Sequence, residues 1–269
     1  MSFSDPFSEV RESPVSVAGQ EVNSKIAIEV QNDDGEWKLA GIRSKDYHLI
    51  KNDVARDVGD DIMSRSDYRW KPLKHIWDGK RYVHYHITEE PITTIDTRHP
   101  KNPHRPIHLG MMMRNTYDGK GKFGLEIYAM DFICTNQFIS RNLFGYFSIY
   151  HGDKQEFLID DAIQQVSKGA NNVLAIAPRI QELSSTPLTS DHIVKAVKCT
   201  RMPISKWGEV ITRLALEESS MFGLYSAMTY IASHKLIGFN AISIGNTITD
   251  HFMDKTPYAQ VVEDAEVVE

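Results

Sequence analysis

Three Asp-Gly dipeptides in the first half of the chain are each flanked by short segments in which hydrophobic and polar residues are interleaved. The flanking segments are residues 25–30 and 36–40, residues 68–77 and 80–87, and residues 108–117 and 120–132. Interleaving with a period near two is typical of β-strands, and Asp-Gly tolerates the positive φ of tight hairpin turns. The pattern therefore predicts three β-hairpins, with turns at Asp34-Gly35, Asp78-Gly79 and Asp118-Gly119.

The alternation is most regular at residues 122–129, where Phe123, Leu125 and Ile127 alternate with Lys122, Gly124 and Glu126. This period of two predicts a strand with one face toward the core and the other face free for a different contact. Residues 47–50 predict a further short strand. Residues 97–106 contain three prolines and predict a loop, because proline removes a donor from a central strand.

Helical spacing appears once between the hairpins and then throughout the second half. Residues 52–65 place Val54, Val58 and Ile62 on one face, and Asn52-Asp53 provides a capping signal at the start. Residues 157–183 predict a long helix that Pro178 breaks or kinks. A further helix is predicted at residues 189–197, and residues 205–219 and 220–234 predict either one long helix or two.

Strands followed by helices predict an α+β fold, in which an antiparallel, hairpin-rich sheet packs against helices. We expect a flexible N-terminal arm at residues 1–22, because these residues are polar and lack periodicity. Residues 23–255 would form a single domain that is sheet-rich over 23–150 and helical over 151–255. Residues 256–269 would form an acidic tail.

Charge is distributed unevenly along the chain. The formal net charge is -6, but residues 65–122 contain twelve Lys and Arg residues against six acids, and six of the 11 histidines. The remainder of the chain is correspondingly acidic. One interpretation is a solvated sheet face with chance clustering, and the other is a surface for an anionic partner.

Composition limits the environment of the protein. No stretch approaches the roughly 18 apolar residues that cross a bilayer, so the sequence predicts no membrane association. The two cysteines, Cys134 and Cys199, are too few for a disulfide framework and fit a reducing cytoplasm. Cys134 has no adjacent base, which favours a buried structural thiol over a nucleophile.

No motif for catalysis or for cofactor binding is present. The chain lacks a phosphate-binding Gly-rich loop, HExxH and GxSxG, so we expect binding rather than catalysis and no cofactor. His84 and His86 share one face of a strand, and together with His99, His104 and His108 they leave a metal-dependent enzyme as one hypothesis. The alternative interpretation is a polar strand face.

The largest constellation is an interleaving of aromatic and basic residues on the hairpins. Cations neutralise phosphates, and aromatic rings stack on unpaired bases. Only alternate residues of a strand reach one face, so Trp70 and Trp77 are expected on opposite faces unless a bulge intervenes. The predicted nucleic-acid-binding residues are Arg69, Lys71, Lys74, Trp77, Lys80, Arg81, Tyr85, Arg114, Lys120 and Lys122.

Two longer motifs and one shorter one carry a family resemblance. Residues 109–119, LGMMMRNTYDG, and residues 128–136, YAMDFICTN, together with residues 47–52, YHLIKN, resemble a phage/plasmid-like family of uncharacterised proteins. That family has Ser and Arg where this chain has Thr116 and Asp131. The resemblance implies a mobile-element source and a domain of unknown function.

The predicted order of elements is also similar to the core of Rad-type single-strand annealing proteins, in which a helix precedes hairpins and a further helix. That topological similarity implies a ring-forming protein that holds single-stranded DNA along a basic groove. The groove would be lined by Arg69, Lys71, Lys74, Lys80, Arg81 and Arg114.

We therefore expect a non-enzymatic, homo-oligomeric single-stranded DNA-binding or annealing protein of a phage or mobile element. The acidic tail would dock a host or phage replication or recombination protein. The alternative is a virus-encoded protein-interaction module that regulates or inhibits a host factor.

Overall fold

The computed structural model describes residues 2–99, 101–131, 136–139, 144–149, 159–236 and 239–253. Cys134 and the predicted acidic tail, residues 256–269, lie outside these described residues. The chain forms two compact units rather than the single domain expected over residues 23–255. The first unit comprises Met1–Glu89, Gly110–Glu126 and Tyr146–Ser167, and the second comprises Glu90–Leu109, Ile127–Gly145 and Lys168–Glu269.

The strands of the described residues are β1 (Val10–Val17), β2 (Gln20–Gln31), β3 (Trp37–Ser44), β4 (Trp70–Trp77), β5 (Arg81–Thr88), β6 (Thr93–Asp96), β7 (His104–Thr116), β8 (Phe123–Asp131), β9 (Asn136–Ile139) and β10 (Tyr146–Ile149). The helices are α1 (Asn52–Arg65), α2 (Ile159–Ser185), α3 (Ser190–Cys199), α4 (Trp207–Leu214), α5 (Met221–His234) and α6 (Phe239–Met253), with a short 3₁₀ turn at Ile204–Lys206 before α4. Antiparallel sheets fill the first half and helices the second, which confirms the predicted α+β class.

All three predicted hairpins are present. They are β2–β3, β4–β5 and β7–β8, and their turn glycines Gly35, Gly79 and Gly119 have φ of 80°, 83° and 63°. A positive φ is the conformation that glycine adopts without steric cost. The Asp-Gly signal was therefore sufficient to place each turn.

The first unit contains two antiparallel arrays. One has the strand order β1-β2-β3, and the other has the order β10-β8-β7-β5-β4. In the second unit, β6 pairs with the beginning of β7, and β9 pairs with the end of β8. β7 and β8 are long enough to contribute residues to both units.

The predicted flexible arm, residues 1–22, is wrong over most of its length. β1 pairs with β2 from Val10 opposite Val30 to Val17 opposite Gln20, through a turn at Ala18-Gly19. Val10 packs into a buried cluster with residues of β2 and β3. β1 is an edge strand, and edge strands tolerate the Ser, Glu and Pro residues that resemble a disordered segment.

Three other local predictions need correction. Residues 47–50 do not form a strand, although Tyr47 and Leu49 pack against the same buried cluster. The predicted loop at residues 97–106 ends early, because β7 begins at His104 and pairs with β6. β8 is buried on both faces rather than on one, since every residue from Phe123 to Asp131 is buried.

Helix α1 has the predicted bounds, Asn52–Arg65, but its start is fixed differently. The Asn52 side chain does not cap the helix. Its amide donates to the Pro6 carbonyl at 2.7 Å, and its Oδ1 accepts from Asn115 Nδ2 at 2.9 Å. The Asn52 backbone N–H donates to the Tyr117 hydroxyl at 2.8 Å. This buried polar network anchors α1 to β7.

α2, α3 and α5 lie close to their predicted bounds, whereas α4 ends at Leu214 rather than at residue 219, and α6 was not predicted. α2 continues through Pro178, so the proline does not end it. Thr189 caps α3 by accepting a hydrogen bond from the His192 backbone N–H. Among the described residues, every helix is too short or too polar to cross a membrane.

Candidate nucleic-acid interface

A β-bulge in β4 determines which side chains of the β4–β5 hairpin share a face. The register shifts between Pro72 and Lys74, so Trp70 lies opposite Thr88 and Trp77 lies opposite Tyr82. Thr88 and Tyr82 are six residues apart on β5 and therefore point to the same side. The bulge thus places Trp70 and Trp77 on one face, whereas unbroken alternation would have placed them on opposite faces.

The turns of the β4–β5 and β7–β8 hairpins lie side by side at one edge of the first unit. The Tyr117 N–H donates to the Lys80 carbonyl at 2.7 Å, and Arg81 pairs with Thr116. Arg81 Nη2 also lies 2.7 Å from Asp118 Oδ2. We call this region the hairpin tip, consisting of Arg43, residues 78–81 and residues 118–122.

Arg43 of β3 completes the hairpin tip, although it lies outside the segment that the charge count identified. A Cβ atom on Gly119 would lie 2.2 Å from Arg43 Cζ, so the guanidinium packs directly on the Gly119 backbone. Arg43 Nε is buried without a hydrogen-bond partner among the described residues. No sequence pattern near Arg43 predicts its place at the hairpin tip, because the residues it contacts there are about 75 residues away in sequence.

The hairpin tip is positively charged overall. It brings together Arg43, Lys80, Arg81, Lys120 and Lys122 with two carboxylates, Asp78 and Asp118. Both carboxylates accept backbone N–H groups of their own turns, at 2.7–2.9 Å. Lys80 and Lys120 are exposed. The tip can therefore place several cations on a chain of phosphates.

The remaining predicted cations are not at the hairpin tip. Lys71 and Lys74 lie opposite Ile87 and Tyr85, on the face away from Trp70 and Trp77. Arg69 is exposed just before β4. The ten predicted residues therefore do not form one continuous strip, because the bulge and the pleat divide them between two faces and a tip.

Two of the predicted residues, Tyr85 and Trp77, are engaged in packing. Tyr85 is 3% exposed and is thus inaccessible to a stacking base. Trp77 packs edge-on against Phe3 and Tyr117, with ring centroids 6.4 and 5.9 Å apart. Their rings stabilise the first unit.

Arg114 is also engaged within the sheet. Its Nη2 lies 3.2 Å from Oε1 of the fully buried Glu126 and donates to the Tyr146 hydroxyl at 2.9 Å. A buried guanidinium paired in this way balances a buried carboxylate. The structure therefore assigns Arg114 a local partner of opposite charge.

His84 and His86 form a close pair, with ring centroids 4.0 Å apart. Burial, and then the neighbouring His84, lowers the pKa of His86 to about 4. Burial and then His75 lower the pKa of His84. Both imidazoles are therefore neutral near pH 7. No group of three or more metal-ligating side chains occurs within the described part of the chain, so the metal hypothesis gains no support.

The low pKa of His86 predicts a loss of stability in acid. In the unfolded chain His86 titrates near its ordinary pKa of 6.5, so below that pH the unfolded state binds a proton that the folded state does not. Stability present above pH 6.5 is lost as the pH falls toward 4. Replacing His86 by Phe should remove about 2 kcal/mol of the acid-induced loss between pH 7.5 and 4.5.

Urea denaturation of the wild type and the His86→Phe variant at both pH values measures this difference. His48→Phe, at an exposed position, is the matched control. Equal pH dependence in the wild type and the His86 variant would show that His86 titrates normally in the fold.

The first unit thus combines a hairpin-rich antiparallel sheet with a cationic tip, within an α+β protein. The chain belongs to the family described as a domain of unknown function, DUF932, whose model matches residues 40–225. This match confirms the expected membership of an uncharacterised family, and it covers Arg43 and every other residue of the hairpin tip. No curated protein and no solved structure matches the chain significantly.

Proposed function

We propose that the protein binds single-stranded DNA, with the phosphate backbone held at the hairpin tip. The observation that carries the proposal is the convergence of Arg43, Lys80, Arg81, Lys120 and Lys122 from three hairpins onto one edge of the first unit. A single strand of phosphates needs closely spaced cations that are not each neutralised by a carboxylate.

The ion pairs at the hairpin tip leave lysines available to an anionic ligand, rather than pairing each of them with a carboxylate of the protein. Arg81 is neutralised by Asp118, but Lys80 and Lys120 are exposed and form no ion pair with the described residues. The turn carboxylates are held by backbone N–H groups, so they do not reach out to the lysines. A flexible lysine at a rigid turn is well placed to meet a mobile phosphate chain.

The number of proposed phosphate contacts predicts how strongly binding depends on salt concentration. Neutralising four phosphates of a single strand by Arg43, Lys80, Lys120 and Lys122 corresponds to a slope of log Kobs against log salt of about −3, since each contact contributes about −0.7. Binding should therefore weaken about 50-fold between 50 and 200 mM salt. A strip that contained all eight predicted cations would produce a much steeper dependence.

The double substitution Lys80→Gln and Lys120→Gln is expected to halve the salt slope to about −1.4 and to weaken binding at low salt about 10-fold or more. The reason is the loss of two phosphate contacts at exposed positions where the fold is not disturbed. Filter binding of labelled single-stranded oligonucleotides at several salt concentrations measures both quantities.

The matched control is the double substitution Lys71→Gln and Lys74→Gln. It removes the same charge, but from β4 alone and from the face that carries Tyr85. The control should bind like the wild type. The proposal is wrong if the two double variants weaken binding equally, or if the wild type does not bind the oligonucleotides.

Annealing activity, homo-oligomerisation and a phage or mobile-element source belong to the same proposal. They rest on the family resemblance and on the topological similarity to single-strand annealing proteins, which share the order of a helix followed by hairpins. Mixing complementary strands with the protein tests annealing. Duplex formation no faster than in the absence of protein would limit the function to binding.

A second candidate function, a protein-interaction module, is favoured by exposed apolar side chains in the second unit. Val194, Ile204, Ile211 and Leu216 are 49%, 74%, 46% and 65% exposed, within 23 residues of sequence. A pull-down from nuclease-treated host extract tests this function. The function is supported if the wild type retains one stoichiometric protein and the Ile204→Ser, Leu216→Ser double variant does not retain it.

A further inference from the structure

A cavity of about 630 Å³ lies between α1 and the β4–β5 hairpin of the first unit. Its volume falls within the range of about 300–1,000 Å³ that small-molecule sites occupy. The cavity lies toward the open end of the hairpin, on the order of 20 Å along the strands from the turn at Gly79. It is therefore a separate site from the hairpin tip.

Aromatic side chains form one wall of the cavity. The bulge at Leu73 turns Trp70 toward the cavity, and the Trp70 Nε1 donates to Ser66 Oγ at 2.8 Å. Tyr68 packs edge-on against Trp70 with ring centroids 6.4 Å apart. Because the only polar atom of the indole ring is engaged, Trp70 is held in one orientation and presents an apolar π surface.

The second wall consists of the neutral histidine pair. His84 and His86 both line the cavity, with His84 half-buried. His84 Nδ1 is buried and has no hydrogen-bond partner among the residues described. Because this nitrogen is buried and the imidazoles are neutral, the wall suits a flat, uncharged part of a ligand rather than an ion.

Charged groups of both signs stand around the cavity. Arg56 and Asp60 come from α1, Arg69 precedes β4, and Glu89 follows β5. Burial raises the pKa of Asp60, whereas Arg69 is exposed. A carboxylate suits an exocyclic amine, and an exposed guanidinium suits a phosphate.

We propose that this cavity binds one nucleotide, with the base against Trp70 and the histidine pair and the phosphate at Arg69. A planar heteroaromatic base matches the π surface of Trp70, the neutral imidazoles and the Asp60 carboxylate together, which an aliphatic ligand or a plain anion does not. The nucleotide is either free or one unit of a single strand. The inference does not depend on phosphate binding at the hairpin tip.

Titration of the full chain with unlabelled AMP and CMP, by calorimetry and by quenching of Trp fluorescence, tests the cavity directly. Adenosine and inorganic phosphate are the partial ligands, and each is expected to bind at least 10-fold more weakly than AMP. Trp70→Ala is expected to weaken nucleotide binding roughly 10-fold or more, from the loss of stacking.

Arg69→Gln is the second variant, because Arg69 is exposed and its loss leaves the fold intact. It should weaken AMP several-fold and leave adenosine unchanged. Lys71→Gln is the matched control, because Lys71 lies opposite Ile87, on the face away from Trp70, and does not line the cavity. This variant should bind AMP like the wild type. Far-UV circular dichroism confirms the fold of each variant.

A four-nucleotide single strand distinguishes the two sources. Equal binding of AMP and the tetranucleotide identifies a free nucleotide as sufficient, whereas binding of the tetranucleotide alone, lost in Trp70→Ala, identifies a base of a strand. Both results support nucleotide binding in the cavity. The inference is overturned if neither ligand binds at millimolar concentration, or if binding is unaffected by both Trp70→Ala and Arg69→Gln.

The two proposals fail separately. Nucleotide binding that depends on Trp70, without strand binding at the tip, supports the cavity and removes the proposed function. Strand binding that depends on Lys80 and Lys120 but not on Trp70 or Arg69 supports the proposed function and removes the cavity as a nucleotide site.

Discussion

Replacing Arg105 by Met is expected to lower the free energy of unfolding of the second unit by about 3–5 kcal/mol. Arg105 is 1% exposed, and its Nη2 lies 2.5 Å from Oδ2 of the fully buried Asp131. Its Nη1 lies 3.8 Å from Glu217 Oε2, and its guanidinium lies 5.1 Å from the centre of the Phe222 ring. Methionine fills a similar volume but removes the guanidinium that pairs with the buried Asp131 carboxylate.

Glu217 keeps an ion pair with a different arginine after this substitution. Arg213 Nη2 lies 2.8 Å from Glu217 Oε1. Removing one member of a buried pair costs far more than removing both, since the cost comes from the charge that is left behind. The double substitution Arg105→Met and Asp131→Leu should therefore recover most of the lost stability.

Urea denaturation followed by the fluorescence of Trp207, which lies in the second unit, measures this effect. Arg98→Met is the matched control at an exposed position close in sequence, and it should change stability by less than about 0.5 kcal/mol. An Arg105→Met variant as stable as the control would mean that the carboxylates are accommodated without the guanidinium.

Replacing Gly223 by Ala is expected to destabilise the second unit by about 3 kcal/mol. Gly223 lies in the first turn of α5, and a Cβ atom there would be 1.9 Å from the Glu218 carbonyl oxygen. That carbonyl cannot easily move, because it accepts the Ser220 N–H at 2.8 Å. The Glu218 side chain is held in addition by the Ser184 hydroxyl at 2.7 Å.

Gly208→Ala provides a control with the opposite sign. Gly208 lies in the first turn of α4, and a Cβ atom there would meet nothing within 4 Å. Alanine at an open helical position stabilises by about 0.5–1 kcal/mol relative to glycine. Parallel urea denaturation of the two variants measures both changes. Equal effects would show that the close approach at Gly223 relaxes without cost.

The sequence predicted the fold more completely than it predicted the candidate site. Turns and helices depend on residues that are close together in sequence, so the three hairpins and α1 were located correctly. The exposed edge strand β1 was missed, because its polar composition resembles that of a disordered segment. The sequence also predicted a loop at Arg105, whereas Arg105 lies in β7 and forms a buried ion pair with Asp131.

The candidate site depended on partners that are distant in sequence. Arg81 is neutralised by Asp118, 37 residues away, and Arg114 by Glu126 on the next strand. Arg43 joins the hairpin tip from outside the basic segment. A charge count weighs all twelve cations of residues 65–122 equally, whereas the fold leaves only some of them available to an anion.

The amino-acid sequence by itself determined where the chain turns, which segments become strands or helices, and that positive charge gathers on the hairpins. Only the tertiary structure decided which of those charges are exposed and which faces the tryptophans occupy. The physical reason is that backbone turns depend on local φ and helical periodicity, whereas exposure depends on pairing across strands. A one-residue bulge at Leu73 was enough to move Trp70 from one face of the hairpin to the other.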